Sequence, residues 1–269
     1  MQIHAKNTLV LNRKKIFAGM LKEERHKIIL REINLHNKVL STDLSEQLDV
    51  SEDTIRRDLN ELSEQGLILK VHGGAMSKTF HYPFNGQNAV YALEAKQVIA
   101  DKAISLFKKD MLILVEGGTT IMEIAKRIPA DLQVTFLTVS PQVALTLAEH
   151  ENIEVITIGG RLAKNANIHT GASVINELGN IKPDLCIIGT NGISIEDGLT
   201  DSDWEVVQVI KAMIRAAKKV AVVTIAEKFN TVQKIKIADI TSVDYLVTEL
   251  PADSPVLALY TGAEKPVLL

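Results

Sequence analysis

Cysteine is nearly absent: Cys186, inside the apolar run LCII, stands alone among 269 residues. No disulfide can close within the chain, and a buried, inert thiol is expected. Long apolar runs are missing too. Nothing approaches the roughly 20 residues that span a bilayer, and Leu9–Leu11 is far too short for the apolar region of a signal peptide. The expected compartment is therefore the cytoplasm, with no membrane partner. Strong charge of either sign is also lacking, because a net charge of −3 gives no global pull on nucleic acid. Any such footprint must be local. There is no GxSxG elbow, no HExxH and no Walker A loop, and the seven histidines show no metal spacing. No catalytic residue, metal or cofactor is expected. With 46% hydrophobic and 23% charged residues, this is the composition of an ordinary globular chain. Its length calls for at least two domains.

What is present is concentrated first in residues 39–76. Leu21, Ile28, Ile29 and Ile33 fall on one face of a helix over Leu21–His36. Ser41 is placed to cap a second helix that runs to Leu48, and Asp49-Val50 makes the turn. Ser51 caps a third helix, where Glu52 and Asp53 suit the positive end of the dipole. Ile55, Leu59 and Leu62 turn that helix inward, which leaves Asp53, Arg57 and Asn60 outside, with Thr54 and Arg56 at the flanks. Gln65-Gly66 stops it, since glycine takes the left-handed position readily. Leu67, Leu69 and Val71 then alternate with Ile68, Lys70 and His72 as a strand does, and Gly73-Gly74 is the turn. This order is that of a winged helix-turn-helix, with Lys70 and His72 on the solvent or phosphate side. Arg against guanine is the commonest base-specific contact of such a helix. Acids slightly outnumber bases across residues 20–78, so the DNA reading rests on where Arg56, Arg57, Lys70 and His72 point.

Residues 1–19 carry Lys6, Arg13, Lys14 and Lys15 without an acid and without helical period, which suits a flexible tail or a basic arm. Residues 79–90 contain Pro, Gly and Asn and form a linker, with His81, Tyr82 and Phe84 as packing anchors. From residue 91 to 250 helices alternate with apolar strands, the signature of a mostly parallel α/β sheet. The expected helices are Tyr91–Lys108, with Ala95, Ile99, Ala103 and Leu106 inward, then Ile121–Ile128, Pro141–His150, Ala172–Leu178 and Asp203–Ala217. The expected strands are Met111–Val115, Val134–Thr138, Ile153–Ile158, Leu185–Gly189, Lys219–Ile225 and Tyr245–Thr248. Residues 251–269 are weakly patterned and read as a tail.

In such a sheet a ligand lies outside the carboxyl ends of the strands. Gly117, Gly118, Thr119 and Thr120 there offer close backbone approach, free N–H groups at a helix start and two hydroxyls, as an anion needs. A tight strand–helix turn would use the same glycines. Gly159, Gly160, Asn191, Gly192, Thr200 and Lys228 fall at equivalent strand ends, and together they describe a site for a small polar ligand such as a sugar phosphate. A general base would have to be Glu116, Glu227 or Asp201, each more simply a solvated carboxylate or a hydrogen-bond partner.

LKEERHKIIL, SEDTIRRDLNELSEQGLILKVHGGA, EGGTT, IEVITIGGRL, GLT and EKF, in this order, resemble the DeoR family of bacterial sugar-metabolism repressors from Met20 to about Glu249. The resemblance implies an N-terminal winged helix-turn-helix followed by a ribose-5-phosphate-isomerase-like α/β sensor domain. It implies a repressor that binds double-stranded operator DNA as a homo-oligomer, dimer or tetramer, and is released by a phosphorylated sugar effector. No enzymatic activity is expected, and the alternatives are a sugar-phosphate isomerase fused to a DNA-binding domain and an activator of the same architecture. Carried over by position, Ser51, Thr54, Arg56 and Arg57 would contact DNA, Gly117–Thr120 would hold phosphate, Lys228 would be the ligand lysine, and Ser140 would belong to the effector site. The chain departs from the pattern at Asn191 and Ile225, where the family usually has Asp, and at Val139, where it tends to have Asn. The phosphate half of the site is thus kept better than the sugar half.

Overall fold

The computed structural model describes residues 20–78, 90–260 and 266–269. The expected tail 1–19 and the linker anchors His81, Tyr82 and Phe84 lie outside the described residues. The chain divides into two compact units, Met1–Asn88 and Ala89–Leu269.

In the first unit α1 (Lys22–His36), β1 (Lys38–Leu40), α2 (Ser41–Leu48) and α3 (Glu52–Glu64) precede β2 (Ile68–Val71) and β3 (Gly74–Ser77). Helical spacing places Ile29 and Ile33 of α1, Leu44 and Leu48 of α2, and Ile55, Leu59 and Leu62 of α3 in one core. The strands form an antiparallel sheet in the order β1-β3-β2. β1 corrects the expected cap at Ser41. The extended chain continues to Leu40, so Leu40 is the N-cap and Ser41 is the first helical residue, buried, with its N–H bound to Gly73 O. Gly74 is required by the same pairing, because a Cβ there would meet Val39 O at 1.9 Å. The inward register of β2 also differs from expectation. Gly66, at φ +75°, ends α3 and leaves Leu67 exposed at the corner, so Ile68 is the residue that enters the core.

The second unit is built on a seven-stranded sheet in the order β15-β14-β12-β9-β4-β5-β6, parallel throughout. Its strands are β4 (Leu112–Val115), β5 (Val134–Thr138), β6 (Ile153–Thr157), β9 (Leu185–Ile188), β12 (Val220–Val223), β14 (Tyr245–Val247) and β15 (Val267–Leu268). α4 (Leu93–Ile104), α5 (Thr119–Lys126) and α6 (Pro141–Leu147) pack in series, and α7 (Ala172–Gly179) packs on α8 (Trp204–Ala216). The central strands β4, β9 and β12 are almost wholly buried, which explains their continuous apolar runs, and Cys186 lies fully buried in β9. No helix among the described residues is long and apolar enough to cross a membrane.

Several short elements escaped the sequence pattern. β7 (Arg161–Ala163) and β8 (Ile168–Thr170) form a hairpin, and β10 (Gly192–Ser194), β11 (Gly198–Asp201) and β13 (Ile235–Ala238) form a second sheet where loops were expected. The first helix of this unit is shorter than Tyr91–Lys108, and Pro141–His150 ends at Leu147. The segment after Pro251, expected as a tail, buries Leu257 and Tyr260 and supplies the edge strand β15.

Candidate functional site

Two groups of residues stand out, one in each unit. On α3, Ser51 accepts the Thr54 N–H at 3.2 Å, and the two hydroxyls are 2.9 Å apart, so the expected cap is formed. Arg57 is exposed and has no ion-pair partner among the described residues. Arg56 is held at 3.3–3.4 Å by Asp53 and Glu52 of its own helix. Such exposed pairs are worth at most about 1 kcal/mol, so an outside anion can displace them. Lys70 on β2 donates to Asn60 of α3, which ties the strand to the helix, and His72 is exposed beside the β2–β3 turn. Beneath this surface lies a residue the sequence reading missed. Asp58, on the inner side of α3 and 2% exposed, accepts from Arg25 Nε and Nη2 at 2.5 and 3.0 Å and lies 3.1 Å from His26 Nε2. Its period relative to Ile55 and Leu62 marks an inward carboxylate, the one signal available.

In the second unit the sheet order reverses direction between β4 and β9. The chain runs outward from β4 through β5 to β6, then returns to place β9 on the other side of β4. A crevice opens at such a switch point, outside the carboxyl ends of the strands. Glu116, just after β4, and Gly189, just after β9, meet there, with the Gly189 N–H donating to Glu116 Oε2 at 2.9 Å. Gly117–Thr120 follow Glu116 and open α5, with Gly118 at φ +105° as the N-cap. The hydroxyls of Thr119 and Thr120 make no hydrogen bond among the described residues. Gly117 packs closely, since a Cβ there would meet Ile168 Cγ2 at 2.7 Å and Ser140 Oγ at 3.4 Å. Ser140 is buried and caps α6, accepting the Val143 N–H at 3.5 Å.

Lys228, in a 3-10 turn after β12, donates to Thr190 O at 2.7 Å and to Asn191 Oδ1 at 3.4 Å. Asn191 Nδ2 in turn donates to Asp201 Oδ2 at 2.9 Å. The amide at this position thus bridges a cation to a buried carboxylate, where an aspartate would face Asp201 with like charge. Ile225 is buried, and the turn it precedes is completed from elsewhere: Glu249 accepts the Ala226 N–H at 2.9 and 3.1 Å. Not every expected residue offers a free group. Thr200 donates to Gly192 O at 3.3 Å and accepts the Gln233 N–H at 2.9 Å, so its hydroxyl is satisfied internally. Gly192 and Gly160 serve close packing, a Cβ meeting Thr231 O at 2.8 Å in the first case and Val174 Cγ2 at 2.5 Å in the second. Gly159 sits exposed after β6.

Neither Glu116 nor Asp201 is the solvated carboxylate that was one of the two expectations; both are hydrogen-bond partners. Glu227 likewise accepts from Tyr91 OH at 2.5 Å. Burial pushes the Glu116 carboxyl up to about 8, against the pull of the Gly189 N–H, with Asp201 adding to the rise and Lys228 opposing it. Burial likewise lowers the Lys228 ammonium to about 8, and Asp201 and Glu116 partly offset it. Burial is also the largest cause of a raised Asp201. An acid raised in this way holds its proton more firmly in the folded chain than in the unfolded one. Its contribution to stability is complete below the unfolded value of 4.5 and is lost as pH climbs through about 8. Glu116→Gln is therefore expected to raise the ligand-free melting temperature above pH ~8 and to change it far less near pH ~5. Equal effects at both pH values in a thermal melt would show that the carboxyl is not held protonated.

No group of residues that could hold a metal ion is found among the described residues. The family described as the DeoR C terminal sensor domain matches residues 92–250, and the DeoR-like helix-turn-helix domain matches residues 25–80. A regulator from Haloferax volcanii, named HTH-type transcriptional regulator GlpR, is 33% identical over 87% of this chain and 93% of its own. The glycerol-3-phosphate regulon repressor of Escherichia coli is 29% identical over 90% of this chain and 96% of its own. A solved ribose-5-phosphate isomerase in complex with phospho-erythronic acid aligns with a TM-score of 0.38 and 16% identity over 50% of this chain and 53% of that one.

Proposed function

The chain belongs to the DeoR family of transcriptional regulators, and on that premise we propose that it represses a carbohydrate-metabolism operon and leaves its operator when a phosphorylated sugar or related metabolite binds the α/β unit. The observation that carries the reading is the cluster at the β4–β9 switch point. A glycine-threonine loop at a helix start and the Lys228 ammonium, whose hydrogen bonds among the described residues go to the neutral acceptors Thr190 O and Asn191 Oδ1, converge where a small anion fits. The relative named for a glycerol-3-phosphate regulon supports a phosphorylated metabolite as the signal. Arg57, Thr54 and Ser51, with Arg56, Lys70 and His72 beside them, form the surface that meets operator DNA. Operator binding takes a homo-oligomer, because one reader spans one half-site and paired half-sites lie about 34 Å or a multiple apart. Turnover is not part of the proposal: Asn191 and Ile225 stand where the family pattern has carboxylates.

Arg57→Ala tests the DNA half. The expected result is a loss of about 1–3 kcal/mol in operator affinity that is confined to one base position. Electrophoretic mobility shifts on operator and random duplexes separate the possibilities. Equal loss on both would make Arg57 a phosphate contact and remove base reading from that residue.

A further inference from the structure

Because Ile55, Leu59 and Leu62 of α3 turn inward, Asp53, Arg57 and Asn60 recur at i, i+4 and i+7 on the opposite, exposed side. Asn60 lies three residues beyond Arg57, about 4.5 Å along the helix axis and close to one base step of about 3.4 Å. It differs from the rest of that face in its neighbour. Lys70 of β2 reaches across from the strand and donates to Asn60 Oδ1. An ammonium carries three donors and no acceptor, so the amide atom that faces Lys70 is the oxygen. The other end of the amide, Nδ2, carries two N–H donors and makes no hydrogen bond among the described residues. Lys70 is exposed and has no ion-pair partner among the described residues, so its charge stands beside the amide uncompensated.

We infer that Asn60 is a base-reading residue and Lys70 its positioning residue, and that the pair reads guanine in preference to adenine. This rests on the reading that α3 meets operator DNA. An unconstrained asparagine reads adenine bidentately, with Oδ1 accepting from N6 and Nδ2 donating to N7. Here Oδ1 is already engaged by Lys70. Turning the amide over to free it would set Nδ2 against the ammonium, donor facing donor. The second lone pair of Oδ1 does not rescue adenine, because the N6 donors would then lie beside the Lys70 charge. Guanine meets the opposite situation. Its N7 and O6 are adjacent acceptors that suit the two Nδ2 donors and are attracted by the same charge. Thymine offers the single acceptor O4, and cytosine offers only a donor. Lys70 keeps two N–H groups for phosphate, so it also adds affinity that is independent of sequence.

The test uses the full chain and a randomised DNA duplex library. Wild type, Arg57→Ala, Asn60→Ala, Asn60→Asp and Lys70→Met each select bound duplexes for sequencing, and mobility shifts on the wild-type selection give affinities. Wild type is expected to select a G·C pair at the position that Asn60→Ala no longer specifies. That position should differ from the one lost by Arg57→Ala. On the wild-type sequence Asn60→Ala should bind roughly five- to a hundredfold more weakly, the worth of one base contact. Asn60→Asp keeps an acceptor for Lys70 but has no donors, so it should lose as much. Lys70→Met should accept G·C and A·T at that position alike, on top of a uniform loss from the missing charge. An Asn60→Ala protein that selects the wild-type sequence unchanged overturns the inference, and so does an A·T pair at the position it loses. A Lys70→Met protein that still prefers G·C there overturns the positioning role. If Arg57→Ala loses a position and Asn60→Ala loses none, reading by α3 stands and the role of Asn60 falls. If wild type selects no sequence, both fall together.

Discussion

Asp58→Ala is expected to cost about 3–5 kcal/mol of stability in the helix-turn-helix unit, the effect of removing one member of a buried ion pair. Asp58 satisfies Arg25 through two donors and also engages His26, so α1 is tied to the underside of α3 by three contacts within 3.1 Å. Hydrogen bonding to Asp58 is also the main reason the Arg25 guanidinium is raised above its usual value. Without the carboxylate, Arg25 keeps its charge in a largely buried position, which costs more than the lost contacts alone. α3 carries the proposed reading surface, so operator binding should disappear at temperatures where the wild-type unit is folded. The α/β unit has its own core and should still respond to ligand. Denaturant unfolding followed by circular dichroism reads the loss, and Asp58→Asn should lie between wild type and Asp58→Ala. A loss below about 1 kcal/mol would place the ion pair among those that contribute little.

Thr119→Val should remove most of the ligand response while leaving operator affinity intact. Valine matches threonine in shape, so the start of α5 and the packing of Gly117 against Ile168 are preserved. What goes is a hydroxyl that makes no hydrogen bond among the described residues and that opens the helix where backbone N–H groups are also free. A charge-assisted hydrogen bond to an anion is worth about 1.5–3 kcal/mol, so the ligand concentration needed for release should rise roughly ten- to a hundredfold. Fluorescence anisotropy of a labelled operator duplex, titrated with ligand, measures that shift directly. An unchanged midpoint would remove the loop from the site.

Much of this architecture follows from local pattern. Ile55, Leu59 and Leu62 at helical spacing gave the inward face of α3, and Ser51 before Glu52-Asp53 gave its cap. The βα alternation gave the order of the long sheet elements and placed Gly117–Thr120 at a strand end. β1, β7 and β10, of three residues each, are too short to sustain a period and exist because a partner strand pairs with them. The contacts that define the interior of each site are equally non-local. Asp58 meets Arg25 across 33 positions, Lys228 meets Asn191 across 37, and Glu249 reaches back 23 to the turn that Ile225 precedes. The departures at Asn191 and Ile225 read as losses in the sequence. In the structure the first is a bridge between Asp201 and Lys228, and beside the second Glu249 accepts the Ala226 N–H.

The central claim is that operator and phosphorylated ligand are coupled through one protein, and coupling is reciprocal. The most direct measurement is a pair of titrations on the full chain: operator affinity with and without saturating ligand, and ligand affinity with and without saturating operator. The expected result is that ligand weakens operator binding by a factor of about 5–150, and that operator weakens ligand binding by the same factor. Ligand that binds tightly while operator affinity stays unchanged would contradict release by a phosphorylated metabolite.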